Sequence, residues 1–121
     1  MSIQATIGHF EQLVLTAILS LGEKAYGVTI RDAVGELTAP KTVSLGAVYA
    51  TLDRLEDKGL ITSWLSDPTP ERGGRSKRHY RLQSAGERAL HQSVQTSRRI
   101  CETVEGVWGP SGRRFKPAGQ H

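Results

Sequence analysis

The side chains that could run a reaction are present but scattered. His9, His79, His91 and His121 fall in different segments, and no two have the HxH or HxxxH spacing that brings imidazoles to one metal. Cys101 is the only cysteine, which excludes an intrachain disulfide and a four-thiolate zinc site. Ser84 has no base beside it, and no glycine loop follows the GxxxxGK pattern. Glu56 and Asp57 are paired acids on an exposed helix face. These residues give no reason to expect an enzyme, a metal or a cofactor. Binding is better supplied. Arg72, Arg75, Lys77, Arg78 and Arg81 fall between residues 72 and 81 with no acid among them. Residues 1–50 hold three bases against four acids, so residues 51–121 carry +5 of a formal net charge of +4. Focused positive charge fits a polyanion, most often nucleic acid, although basic loops also serve solubility.

The elements that must position this charge come from a chain of 121 residues, enough for one domain with a real core. Hydrophobic residues at 37% and charged residues at 23% are ordinary soluble usage. The most apolar stretch, Leu13 to Leu21, is interrupted by Thr16 and Ser20, so no membrane span is expected. The N-terminus lacks the basic start and cleavage site of a secretory signal. The expected location is the cytoplasm.

Helical spacing appears three times in the first half. Phe10, Leu13, Val14, Ala17, Ile18 and Leu21 make an apolar stripe from about His9, ended by Gly22 in left-handed cap geometry. A second helix runs from Tyr26 to about Leu37 on Ile30, Val34 and Leu37. Pro40 sits in the connector that follows. Ser44 caps a third helix, Leu45 to Lys58, whose Leu45, Val48, Leu52 and Leu55 face inward and which Gly59 closes. Leu60 to Leu65 then reads as a strand, Asp67 to Gly74 as a turn, and Lys77 to Leu82 as the returning strand. Ser84 and Glu87 form a capping box that opens a helix to about Trp108, roughly 35 Å long. The tail from Gly109 has no periodicity and is expected to be disordered.

Three helices, a hairpin with a basic glycine-rich tip and a final helix form the order of a winged helix-turn-helix. The expected class is mainly α with a small β-hairpin (α+β). Residues 1–83 would form the DNA-binding domain, 84–108 a C-terminal dimerisation helix and 109–121 the tail. Gly46, Ala47 and Ala50 are small enough for the third helix to sit deep in a major groove, with its N-terminal amides towards phosphate. Thr42, Ser44, Tyr49 and Thr51 can bond phosphates or base edges. Arg54 can reach the backbone, or pair with Asp57 three residues on. Ser76 lies in the wing with Arg75, Lys77 and Arg78, which would follow the neighbouring minor groove. Arg78 shares the strand face of Tyr80 and Leu82, so it can instead pack on the core. Tyr26 and Gly27 open the second helix, where amides can hold a phosphate or Tyr26 can serve as core.

Leu90, Val94, Ser97, Cys101, Val104 and Trp108 follow a heptad seam. About seven turns of helix exceed what so small a body can cover, which favours a second copy as partner. Phe10, Leu13 and Val14 would join that seam, with Cys101 an inert core thiol. Trp64 and Trp108 are candidate effector contacts, since aromatic faces stack planar ligands, or they are packing residues.

The chain resembles the PadR family of transcriptional regulators. The matching segments are Phe10-Glu-Gln-Leu-Val-Leu-Thr-Ala-Ile-Leu, Ala25-Tyr-Gly and Val43-Ser-Leu-Gly-Ala-Val-Tyr-Ala-Thr-Leu-Asp-Arg-Leu-Glu. Lys58-Gly-Leu-Ile and Gly73-Gly-Arg-Ser-Lys-Arg-His-Tyr-Arg-Leu, followed by Ser-Ala-Gly, complete the set over roughly residues 7–90. The resemblance implies a homodimer on a pseudo-palindromic operator in double-stranded DNA, most simply as a repressor. It also implies a small-molecule effector in many members. The chain looks like the small subtype with a single C-terminal helix, and it carries Gln83 where a threonine is usual. The alternative is a winged-helix protein-interaction module that never reads DNA; a small-molecule carrier is a third option.

Overall fold

The spacings produce helices where they fall. A computed structural model describes residues 6–66 and 76–109 of the chain. The order is α1 (His9–Leu21), a 3-10 turn (Gly22–Lys24), α2 (Gly27–Thr38), α3 (Leu45–Asp57), β1 (Ile61–Leu65), β2 (Arg78–Leu82) and α4 (Ser84–Trp108). This is the α+β order of a winged helix. Two compact units share the chain, residues 1–90 and 91–121, and the division falls inside α4.

In the first unit the three apolar stripes meet. Val14, Leu15 and Ile18 of α1, Ile30 and Val34 of α2, and Val48, Leu52 and Leu55 of α3 are at most 2% exposed. Each such Leu or Ile contributes roughly 1.5–3 kcal/mol by leaving water. The stripes shift at their margins. Leu37 is exposed on the last turn of α2, and Phe10, Leu13 and Leu21 are only half-buried. Gly22 has the expected positive φ, 60°, but its ψ of −124° is not left-handed helical, because the chain continues directly into the 3-10 turn. Its N–H still caps the Ile18 carbonyl.

β1 and β2 pair antiparallel, with Ile61 opposite Leu82, Ser63 opposite Tyr80 and Leu65 opposite Arg78. The turn expected at Asp67 to Gly74 lies outside the described residues. The segment before α2 joins the hairpin: Tyr26 bridges to His79, and the Tyr80 N–H donates to the Ala25 carbonyl at 2.9 Å. The root of the wing is therefore tied to the start of α2. α4 begins one residue earlier than the capping-box reading, since the Glu87 N–H bonds the Gln83 carbonyl at 2.9 Å and Ser84 is already helical. In the second unit α4 runs on to Trp108, and Gly109 ends it at φ 106°. Val94, Ser97 and Val104 are half-buried there, while Ile100, Cys101, Val107 and Trp108 are exposed. The expected core thiol Cys101 is thus an exposed side chain in the single chain. Val14 and Leu90, which the spacing places on a dimer seam, are 0% and 5% exposed in the single chain. The tail beyond Gly109 lies outside the described residues.

Among the described residues one charged group is buried. Glu11 is 7% exposed. It accepts from the Gly8 N–H at 2.8 Å and from Lys58 Nζ at 3.0 and 2.9 Å, with Arg54 Nε 3.8 Å away. Burial pushes its carboxyl pKa up, but the Gly8 N–H and the two cations outweigh burial and hold it below the ordinary glutamate value. A lowered folded value means the unfolded chain binds the proton first. The stability from Glu11 is therefore complete at neutral pH, declines below about pH 4.3 and is gone below the lowered folded value. Thermal melts from pH 7 to pH 3 should show this loss, and Glu11→Gln should flatten it. An equal acid slope in wild type and variant would contradict the assignment.

Candidate nucleic-acid interface

The Ser44 hydroxyl accepts the Ala47 N–H at 3.1 Å, which caps α3 and leaves its first turn exposed. Because Val48, Leu52 and Leu55 face the core, Gly46, Ala47, Tyr49 and Ala50 face solvent. Thr42 and Ser44 are exposed just before them. Further along, Asp53, Glu56 and Asp57 are exposed as well. The first two turns of α3 are thus free of acid.

Thr51 leaves the set of candidate contacts. It is 1% exposed, because one step from Leu52 and three from Val48 it lies on the core stripe. Its Oγ1 accepts instead from Arg54 at 3.0 Å. Arg54 is exposed and points towards Thr51 and Glu11, so the alternative partner Asp57 is not the one engaged. Tyr49 lies with its hydroxyl against Gly27, where any side-chain Cβ would overlap the ring. Gly27 is consequently buried, and approach to the start of α2 passes over Tyr49. The Tyr26 N–H is bonded to Thr29 Oγ1 at 3.0 Å. Its ring is half-buried, met edge-on by His79 at 5.5 Å and covered by Lys77 Nζ at 4.0 Å.

At the wing, Ser76 and Arg78 are exposed and Lys77 is half-buried. Arg75, like Arg72, lies outside the described residues. Arg78 does not pack on the core with Tyr80. It donates to Ser63 Oγ at 2.9 Å, and Ser63 donates to Glu56 at 2.8 Å, which ties the wing to the end of α3. Burial raises the Tyr80 hydroxyl above its usual pKa, helped by Tyr49 and the acids Asp53 and Glu56 and opposed by Arg78. Sequence reasoning missed His79 as a structural residue. Its ring stacks on Trp64 at 5.6 Å and 20°, and its Nδ1 meets the Glu23 carbonyl at 3.1 Å. Period-two spacing along Lys77, His79 and Arg81 was the available signal.

Trp64 also borders a cavity of about 600 Å³, with Ile18, Leu19, Arg81 and Glu87 among its walls. Trp108 is not a lining residue. Among the described residues no three His, Cys, Asp or Glu side chains form a metal site, and no helix is long and apolar enough to cross a membrane.

A model of the transcriptional regulator PadR-like family matches residues 14–92. The chain belongs to that family. Among solved structures, a PadR family transcription regulator from hypervirulent Clostridium difficile is 28% identical, with a TM-score of 0.69, covering 83% of this chain and 98% of the other. A Streptococcus transcriptional regulator is 26% identical, with a TM-score of 0.66 over 81% and 90% of the two chains. Bacillus subtilis PadR, solved in complex with operator DNA, shares the fold at 24% identity and a TM-score of 0.59, covering 70% of this chain and 47% of its own. No match is found among curated proteins. PadR-like proteins are transcriptional regulators, which agrees with the scattered histidines and the exposed α3 surface.

Proposed function

We propose that this PadR-like regulator binds a pseudo-palindromic operator as a cytoplasmic homodimer and represses by occupying the promoter. Gly46, Ala47, Tyr49 and Ala50 of each protomer enter a major groove, with half-sites roughly 34 Å apart. The wing segment with Arg75, Ser76, Lys77 and Arg78 adds phosphate contacts that do not depend on sequence. The observation that carries this reading is the capped, acid-free first half of α3, exposed beside a basic wing whose root is tied to the same helix. Dimerisation is supported by the spacing of Val94, Ser97, Cys101, Val104 and Trp108 along the second unit, together with half-buried Phe10 and Leu13 in the first. Release by a small effector is supported by the cavity beside Trp64, whose volume suits a compact organic molecule.

Fluorescence anisotropy with duplexes from the upstream region of its own gene, titrated with salt, tests the proposal. One duplex should win, with log affinity falling by about 0.9 per neutralised phosphate per decade of salt. Lys77→Ala should weaken all duplexes alike and lower that slope by about 0.9 per protomer. Ala50→Gln should instead change which duplex wins. Binding no tighter than about 1 μM to every duplex at low salt would leave only the non-specific range. A protein-interaction module would then be the better reading.

A further inference from the structure

Arg54 stands seven residues after Ala47 and four after Ala50, on one stripe of α3. At 1.5 Å per residue it lies about 10 Å further along the axis than Ala47. If the two alanines face base edges, a guanidinium there is within reach of phosphates at the groove edge, and Lys58 follows one turn later. Both cations are engaged within the protein, although their side chains stay 56% and 38% exposed. Lys58 Nζ meets both Glu11 oxygens, at 3.0 and 2.9 Å. Arg54 bonds Thr51 Oγ1 at 3.0 Å with its Nε 3.8 Å from Glu11. Glu11 comes from α1, a separate helix, and is nearly sealed from water. If Lys58 left for a phosphate, a buried carboxylate would lose its closest counter-ion, which is strongly unfavourable.

Resting on the DNA-binding reading above, we infer that Glu11 limits the sequence-independent part of DNA affinity by withholding Lys58 and Arg54 from phosphate. The buried carboxylate acts as an internal substitute for a phosphate oxygen. It also holds the last turn of α3 against the first turn of α1, so it is a positioning residue that does not touch DNA itself. Two cations on the exposed side of the recognition helix are thereby kept out of the contact set, and the wing is left to supply non-specific contacts.

The test uses the full chain and a random-sequence duplex, with anisotropy read from 50 to 200 mM salt and thermal melts as a fold control. Glu11→Gln should bind the random duplex more tightly at low salt. Its slope should steepen by about 0.9 for one released cation or about 1.8 for two, per protomer. That is about 3.5-fold more affinity lost across this salt range for each cation. Glu11→Gln with Lys58→Met should return one such increment. Lys58→Met alone, which keeps Glu11 and its Arg54 neighbour, should leave the wild-type slope unchanged. A Glu11→Gln slope equal to or shallower than wild type overturns the inference. So does a fall of about 0.9 in Lys58→Met, because Lys58 would then already touch phosphate. Wild-type protein without salt-dependent binding to any duplex marks failure of the DNA reading itself, and is seen before any variant is compared.

Discussion

Gly27→Ala is expected to lower affinity for the best duplex by about ten- to a hundredfold while changing stability by less than about 1 kcal/mol. The added Cβ would fall within 2.5 Å of Tyr49 Cζ and would also overlap the hydroxyl and ring edge. These atoms are the far end of a long side chain that is 42% exposed, so the ring can swing into solvent without moving the core. Alanine at the first position of α2 is at least as good a helix former as glycine. The cost therefore falls on the place Tyr49 occupies over the start of α2, not on the fold. Anisotropy with the selected duplex, beside thermal melts, separates the two. Unchanged binding would mean that Tyr49 is not held for DNA, and a large drop in melting temperature would mean the ring cannot move.

Gly86→Ala should destabilise the first unit by about 1–3 kcal/mol, the cost of forced overpacking, and so lower its melting temperature by roughly 5–20 °C. The sign is opposite to helix propensity, which favours alanine over glycine by about 1 kcal/mol. The reason is a close approach. Gly86 is buried in the first turn of α4, and a Cβ there would overlap the Leu60 carbonyl oxygen and come within 3.0 Å of its carbon. That oxygen is backbone, already accepting the Gln83 N–H at 2.8 Å, and cannot turn aside as Tyr49 can. Gly35→Ala in α2 is the control, because nothing lies within 4 Å of its Cβ position. It should be neutral or stabilise by up to about 1 kcal/mol. Equal melting temperatures for the two variants would refute the close approach.

Much of this chain is legible before folding. The 3–4 spacing of Val48, Leu52 and Leu55 fixes which side of α3 is inward, and hence that Gly46, Ala47 and Ala50 are outward. Ser44 marks the start of that helix and Gly59, at φ 76°, follows its end. The same periodicity places Thr51 on the interior stripe, although its polar side chain suggests a contact. It also places Val14 and Leu90 on a seam, whereas the single chain leaves them buried. Spacing defines an apolar face, but not which neighbour covers it.

The sequence by itself determined the order of elements, the capped start of the recognition helix, the basic wing and the PadR-like resemblance. All of these are local, since propensity, periodicity and charge act within a turn or two of the chain. Tertiary structure alone decided that Glu11 holds a lysine 47 residues away, that Tyr49 lies over Gly27, and that Gly86 meets Leu60. These pairings depend on how separate elements close on one another. No residue spacing encodes that closure, because it follows from filling a shared core without voids while leaving no buried charge unpaired.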